Sequence, residues 1–368
     1  MTTTERIPVL DLSPEIDALW DELNAAVQRV LRSGALIMGP DVAAFEQEAA
    51  AYLGVKHAVG VNSGTDALVI GLRALGIGPG DEVITTPFSF FATAESISAV
   101  GARPVFADIG PDSFQLDPDR VREQITERTR AIMPVHLYGQ PCAIDEILVL
   151  ARDHDLHVIE DCAQSFGARV RGRHTGTFGS VGAYSFFPSK NLGAFGDGGL
   201  LVTDDDAVAG TARMLRAHGS RRKYHNEVLG YNSRLDTLQA ALLRVKLPHV
   251  DAWNQGRREA AARYGELLRD VPGVLAPAVT PGHVFHQYTV RLPHADRDAV
   301  QRELDGAGIA TMVYYPVPQD QLPVYRGQYA AAPHSAARAR EVLSLPIWPT
   351  IAPGVQARVT RALGAALA

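Results

Sequence analysis

Beyond residue 57 the chain alternates two hydrophobic rhythms. Short apolar runs rich in β-branched residues predict strands at 57–61, 82–86, 104–108, 131–136 and 157–161. Between them, apolar positions recurring every three or four residues predict helices at 64–75, 91–100, 117–127 and 144–154. Strands joined by crossover helices form right-handed units on a mainly parallel sheet, so the expected class is α/β. Two further strands, 181–187 and 199–203, lie close together with no helix between them, which predicts that one of them runs antiparallel.

After residue 207 the rhythm lengthens into helices at 207–217, 234–247 and 249–268. A strand at 286–292, a helix at 297–306 and a strand at 310–315 follow. This change divides the chain into a large α/β domain over residues 14–247 and a small α+β domain over 248–368, with residues 1–13 expected to pack on the small one. Proline and glycine gather at 272–282 as a connector.

Composition narrows the function classes. The chain has 368 residues, 46% hydrophobic and 21% charged, and its net charge of −6 is spread along the chain rather than blocked. No basic footprint for nucleic acid is visible. No apolar run approaches the roughly 20 residues that cross a bilayer, and the start MTTTERIPVLDL lacks the regions of a signal peptide, so a cytoplasmic protein is expected. Cys142 and Cys162 lack metal-ligand spacing and read as buried apolar residues; no metal is expected.

Ligands of open α/β sheets bind at the carboxyl ends of the strands, and four stretches put polar groups there. In "VNSGTDALVIGL", Ser63 with Asp66 three residues later is a capping-box signature, leaving the N–H groups of Gly64 and Thr65 and the Thr65 hydroxyl free for an anion. An ordinary capped helix would read the same way. In "HVIEDCAQSFGA", strand alternation points one of Glu160 and Asp161 toward the site, where a carboxylate can hold a protonated ring nitrogen, and Gln164 follows with an amide that can reach a ring oxygen. These acids could equally cap the next element. In "YSFFPSKNLGAFGDGG", Lys190 follows an aromatic run, where a desolvated amine becomes a better nucleophile toward a carbonyl, and Ser185 and Ser189 could meet the same anion as Gly64 and Thr65. A lone lysine is more often a solvated charge. In "TTPFSFFATA", one of Phe88, Phe90 and Phe91 could stack on a flat ring, although aromatics usually enter the core. A phosphate cradle, a stacking ring, an acid and an imine-forming lysine together match pyridoxal 5′-phosphate.

The residues that carry this chemistry sit in stretches, among them "SGTDAL", "GDEVITTPFSFFATAE", "VIEDCAQSFGA", "SFFPSKNLGAFGDGG" and "GYNSRLDTLQAALLRVKL", that resemble the DegT/DnrJ/EryC1/StrS family of sugar aminotransferases nearly end to end. The resemblance implies a fold-type I architecture and an obligate homodimer with shared sites. It makes Lys190 the lysine that holds the cofactor as a Schiff base and shuttles protons, Asp161 the partner of the ring nitrogen, Gln164 the contact to the ring hydroxyl, and Phe90 the stacking ring. Gly64, Thr65 and Ser185 would bind the phosphate. Asn232 would reach the cofactor phosphate of the other subunit, with Arg234 close by.

The implied reaction is transamination in two halves through pyridoxamine 5′-phosphate, from L-glutamate to a nucleotide-linked keto-sugar. The loop "HGSRRKYHNEVLGYNSRLD" is similar to that of members aminating a 3-keto dTDP- or UDP-sugar, which makes Tyr224 a candidate substrate contact; amination at the fourth carbon is the alternative. Tyr314 borders the segment near the acceptor site and stands where many relatives have histidine. Dehydratase relatives carry histidine in place of Lys190, which argues against that activity. A regulatory descendant would be expected to lose Lys190 or Asp161. A dinucleotide oxidoreductase would need the G-x-G-x-x-G spacing that "VGVNSGTDA" lacks.

Overall fold

A computed structural model describes residues 6–368. Three helices come first, α1 (Ser13–Ala18), α2 (Trp20–Ser33) and α3 (Pro40–Leu53), a region the alternating rhythm left unread. The alternation then runs β1 (His57–Val61), α4 (Gly64–Ala74), β2 (Glu82–Thr85), α5 (Ala92–Ala99), β3 (Arg103–Phe106), α6 (Pro118–Gln124), β4 (Thr129–Met133), α7 (Ile144–Asp153) and β5 (His157–Asp161). A small hairpin, β6 (Arg169–Val170) and β7 (Arg173–His174), leads to β8 (Val181–Ser185) and β9 (Gly199–Thr203). The remainder comprises α8 (Asp206–Leu215), a hairpin of β10 (Ser220–Arg222) and β11 (His225–Asn226), α9 (Thr237–Lys246), α10 (Val250–Leu268), β12 (Tyr288–Arg291), α11 (Arg297–Gly306), α12 (Pro333–Glu341), β13 (Val342–Leu345) and α13 (Pro353–Ala366). Every strand and helix expected between residues 57 and 306 is present, with ends shifted by a few residues.

Seven strands form one sheet in the order β1-β9-β8-β5-β4-β2-β3. Only β9 is antiparallel to its neighbours β1 and β8, as the missing crossover requires. The period-2 pattern of each strand divides its side chains between two cores. Val59, Val61, Ile159, Val181, Ala183 and Leu201 pack under α4 and α8, whereas Ala58, Tyr184, Leu200 and Val202 pack against residues of α3 and α9. A separate core joins Ala260, Tyr264, Tyr288, Val300, Leu343 and Val359, and Ile7 packs into it. Ile7 also exchanges backbone bonds with Gly308 and Ala310, both at 2.9 Å; residues 1–5 lie outside the described residues.

The expected strand at 310–315 does not form. Met312 alone pairs with Ser344, through bonds of 3.1 and 2.8 Å, and β13 takes the place beside β12. Beyond Met312 the chain is drawn away: the Tyr138 hydroxyl donates to the Tyr314 carbonyl, and Gln164 Nε2 donates to the Tyr315 hydroxyl at 3.0 Å. Pro316 and Pro318 offer no N–H with which to continue a ladder.

At the end of β5 the alternation sends Glu160 and Asp161 to opposite faces. Glu160 is fully buried, and its carboxylate accepts the backbone N–H groups of Gly176, Phe178 and Gly179 at 2.7–2.8 Å. His136 Nδ1 accepts the Cys142 N–H, so its proton is on Nε2, 3.0 Å from Glu160. Glu160→Ala would leave these donors buried without an acceptor, each costing about 1–3 kcal/mol. Chemical denaturation in urea is expected to show a loss of about 3 kcal/mol or more.

Candidate active site

A cavity of about 420 Å³ opens at the carboxyl ends of β1, β2, β5 and β8 and brings together Gly64, Thr65, Phe90, Asp161, Gln164, Ser185, Lys190 and Tyr314. Several are delivered by a local rule, whereas Tyr314 is brought in by the distant bond from Tyr138. Ser63 caps α4, accepting the Asp66 N–H at 3.1 Å; Gly64 and Thr65, the first residues of the helix, have N–H groups with no intrahelical acceptor, and both residues line the cavity. Gly64 must be glycine: a Cβ there would lie 2.7 Å from Ser185 Cβ. Phe88 is core and Phe91 packs on Tyr325, which leaves Phe90, 58% exposed, as the ring on the cavity wall.

Lys190 sits on a turn closed by its N–H to the Phe187 carbonyl at 2.8 Å. The next residue pins that turn: Asn191 Nδ2 donates to Asn254 Oδ1 on α10 (2.7 Å) and to the Val284 carbonyl (3.1 Å). From beneath, Lys246 Nζ donates to the Gly193 carbonyl at 2.6 Å. Burial drops the Lys190 ammonium from its ordinary value to about 8, against the opposing pull of the Asp161 charge.

Burial pushes the Asp161 carboxyl up, and hydrogen bonds from Thr93 Oγ1 (2.8 Å) and the Ala163 N–H (3.1 Å) pull it back, with Lys190 acting in the same sense. Gln164 Oε1 accepts the Tyr138 N–H at 2.6 Å, which turns its NH₂ group toward Tyr315 and the cavity.

Three expected residues do not line this cavity in the same chain. Asn232 and Arg234 border a separate recess of about 500 Å³, adjoining the first through their common residue Asp197. Tyr224 is 85% exposed at the tip of the β10–β11 hairpin, which Arg221 braces by pairing with Glu227 at 2.7 Å. Conversely, Thr93, His286, Gln287 and Tyr315 reach the site although the sequence reading passed over them. Tyr315, next to Tyr314, was the one with a signal to follow.

The profile of the DegT/DnrJ/EryC1/StrS aminotransferase family matches residues 17–364. The chain belongs to this family. It is 49% identical over 351 residues to the dTDP-3-amino-3,4,6-trideoxy-alpha-D-glucose transaminase of Streptomyces venezuelae, covering 94% of this chain and 92% of that one. It is also 49% identical to the "Pleiotropic regulatory protein" of Geobacillus stearothermophilus, with 94% of each covered. Among solved structures, S. venezuelae DesV in complex with a ketimine intermediate superposes with a TM-score of 0.94 at 48% identity, over 98% of both chains.

An aminotransferase of this family implies pyridoxal 5′-phosphate, and the donor set fits it. The glycine cradle at Gly64, the free N–H groups of α4, the fixed carboxylate of Asp161 and the amine of Lys190 converge on one cavity. The His136, Glu160 and Cys162 cluster behind β5 is a different matter: the hydrogen bonds described above already occupy His136 and Glu160, and burial pushes the Cys162 thiol up to about 11.

Two outcomes follow from this geometry. Because burial lowers the Lys190 ammonium to about 8, its acylation in cofactor-free protein is expected to rise through that pH, as peptide mapping would register. Gly64→Ala should weaken retention of pyridoxal 5′-phosphate by tenfold or more, read by dialysis and absorbance, since the added methyl displaces Ser185 or the start of α4.

Proposed function

We propose that this protein transfers an amino group, from L-glutamate, to a nucleotide-linked 3-keto-sugar of the dTDP or UDP type, working in the cytoplasm as a homodimer with shared sites. The observation that carries the reading is the convergence of Lys190, Asp161 and the α4 N-terminus on one cavity. The relative from S. venezuelae, named for a 3-amino sugar, supports the choice of ring position.

Pyridoxal 5′-phosphate, when bound, would supply an electron sink and a carrier for the amino group. Lys190 carries the proton at Nζ, since an amine that titrates near pH 8 both accepts and returns one under physiological conditions. Asp161 holds the proton of the ring nitrogen through a charge-assisted hydrogen bond. Gln164, its carbonyl committed to Tyr138, offers N–H to the ring oxygen. Gly64, Thr65 and Ser185 hold the phosphate, and Phe90 covers one face of the ring.

Tyr314 forms part of the wall for the sugar. Asn232, Arg234 and Tyr224 act across the dimer on the partner's cavity, Asn232 at the phosphate and the other two at the substrate. Their absence from their own chain's cavity and the adjoining recess support this assignment.

Borohydride treatment after loading should attach the cofactor to the Lys190 peptide, with no such adduct in Lys190→Ala. A protein that stays colourless with added pyridoxal phosphate would turn the argument to a regulatory role, as named for the Geobacillus relative. Asn232→Ala should lose cofactor several-fold faster than the parent protein on dialysis; an unchanged rate would sink the shared-site assignment.

A further inference from the structure

We propose that Ser89 and Thr93 form a one-way hydroxyl chain that keeps Asp161 ionised, and that Thr93 is a positioning residue for the reaction. The purpose of the chain rests on the aminotransferase reading; its geometry does not.

Thr93 is fully buried in the first turn of α5, and Ser89 is 4% exposed on the loop before it. Thr93 Oγ1 lies 2.8 Å from Asp161 Oδ2, and Ser89 Oγ lies 2.9 Å from Thr93 Oγ1. A carboxylate only accepts, so the Thr93 hydroxyl must donate to it. That leaves the Thr93 oxygen as the acceptor, and the Ser89 hydroxyl must donate in turn. Ser89 lines the cavity, where its oxygen is left with accepting capacity only. Hydroxyls donating in series polarise one another, which strengthens the last bond, the one to Asp161.

The position of Thr93 is set from both sides. Its N–H donates to the Phe90 carbonyl at 3.1 Å and its carbonyl accepts from Ser96 Oγ at 2.9 Å, so the hydroxyl is aimed by the same turn that carries the stacking ring. The other Asp161 oxygen has the Ala163 N–H at 3.1 Å. Each carboxylate oxygen thus receives one neutral donor. Replacing Thr93 with valine keeps the shape but leaves Oδ2 buried without its donor, which favours the protonated carboxyl. A protonated Asp161 can no longer hold a proton on a ring nitrogen.

The test follows the Asp161 carboxyl by ¹³C NMR during a pH titration of the cofactor-free protein, and the ring nitrogen of ¹⁵N-labelled pyridoxal phosphate in the loaded protein. In Thr93→Val the Asp161 midpoint is expected to rise by about one pH unit or more, the scale of one hydrogen bond to a charged group. The ring nitrogen should then move toward the neutral-pyridine signal. Thr93→Ser should restore both values, and Ser89→Ala should shift both by a smaller amount in the same direction. A folded Thr93→Val with an unmoved midpoint and an unchanged pyridinium signal overturns the proposal. If Thr93→Val does not fold, Ser89→Ala decides, a rise supporting the chain and no change overturning it. A parent protein that binds no pyridoxal phosphate would defeat the functional reading alone, because the cofactor-free titration still judges the chain.

Discussion

The end of β5 is where the architecture and the site depend on one another. Glu160 and Asp161 are adjacent carboxylates, and the pleat of the strand sends them in opposite directions. Glu160 meets three backbone N–H groups and the imidazole of His136, so both of its buried oxygens are hydrogen-bonded. That anchoring fixes the end of the strand. The backbone of Asp161 is clamped as well, its N–H on the Pro134 carbonyl at 2.9 Å and its carbonyl on the His136 N–H at 3.1 Å. With the main chain immobilised on both sides, the Asp161 carboxylate needs only Thr93 and Ala163 to orient it.

Around that point the sheet works as a collector. Helix α4 contributes unpaired N–H groups because Ser63 satisfies only one of the donors at its start. The turn after β8 contributes Lys190, and the loop after β2 contributes Phe90. Lys190 is tuned chiefly by withdrawal from water, with Asp161 opposing the shift. The two groups therefore moderate each other: the lysine draws the carboxyl back toward its ionised form while the carboxylate limits how far the lysine falls.

Much of this was legible in the sequence, because period and punctuation are local properties. The strands β1, β5 and β9 were found at their observed bounds, and Ser63 caps as its spacing from Asp66 implied. The split between Glu160 and Asp161 also follows from period alone. What escaped was set by distant partners. Residues 310–315 have the composition of a strand, but Tyr138 and Gln164, far away in sequence, draw Tyr314 and Tyr315 toward the cavity. Thr93 looks like any residue of a helix start until the fold brings it 2.8 Å from Asp161, and His286 looks like a core histidine until it lines the cavity. The three helices before residue 57 lie outside the alternating pattern; they pack through apolar side chains such as Phe45 against Phe186 and Leu23 against Leu242, with the ion pair of Asp41 and Arg244 at 2.6 Å beside them.

The amide clasp beside Lys190 has a mechanical corollary. Asn191 grips both Asn254 on α10 and the Val284 carbonyl, while Asn254 Nδ2 holds the Phe166 carbonyl at 3.0 Å. Four segments distant in sequence thus meet in one knot held by two side-chain amides, and His286 and Gln287 leave that knot directly for the cavity wall. The lysine turn cannot swing outward without tugging on the segment that bears His286. A displacement of the lysine turn would therefore be passed through the amide knot to the wall that carries His286 and Gln287.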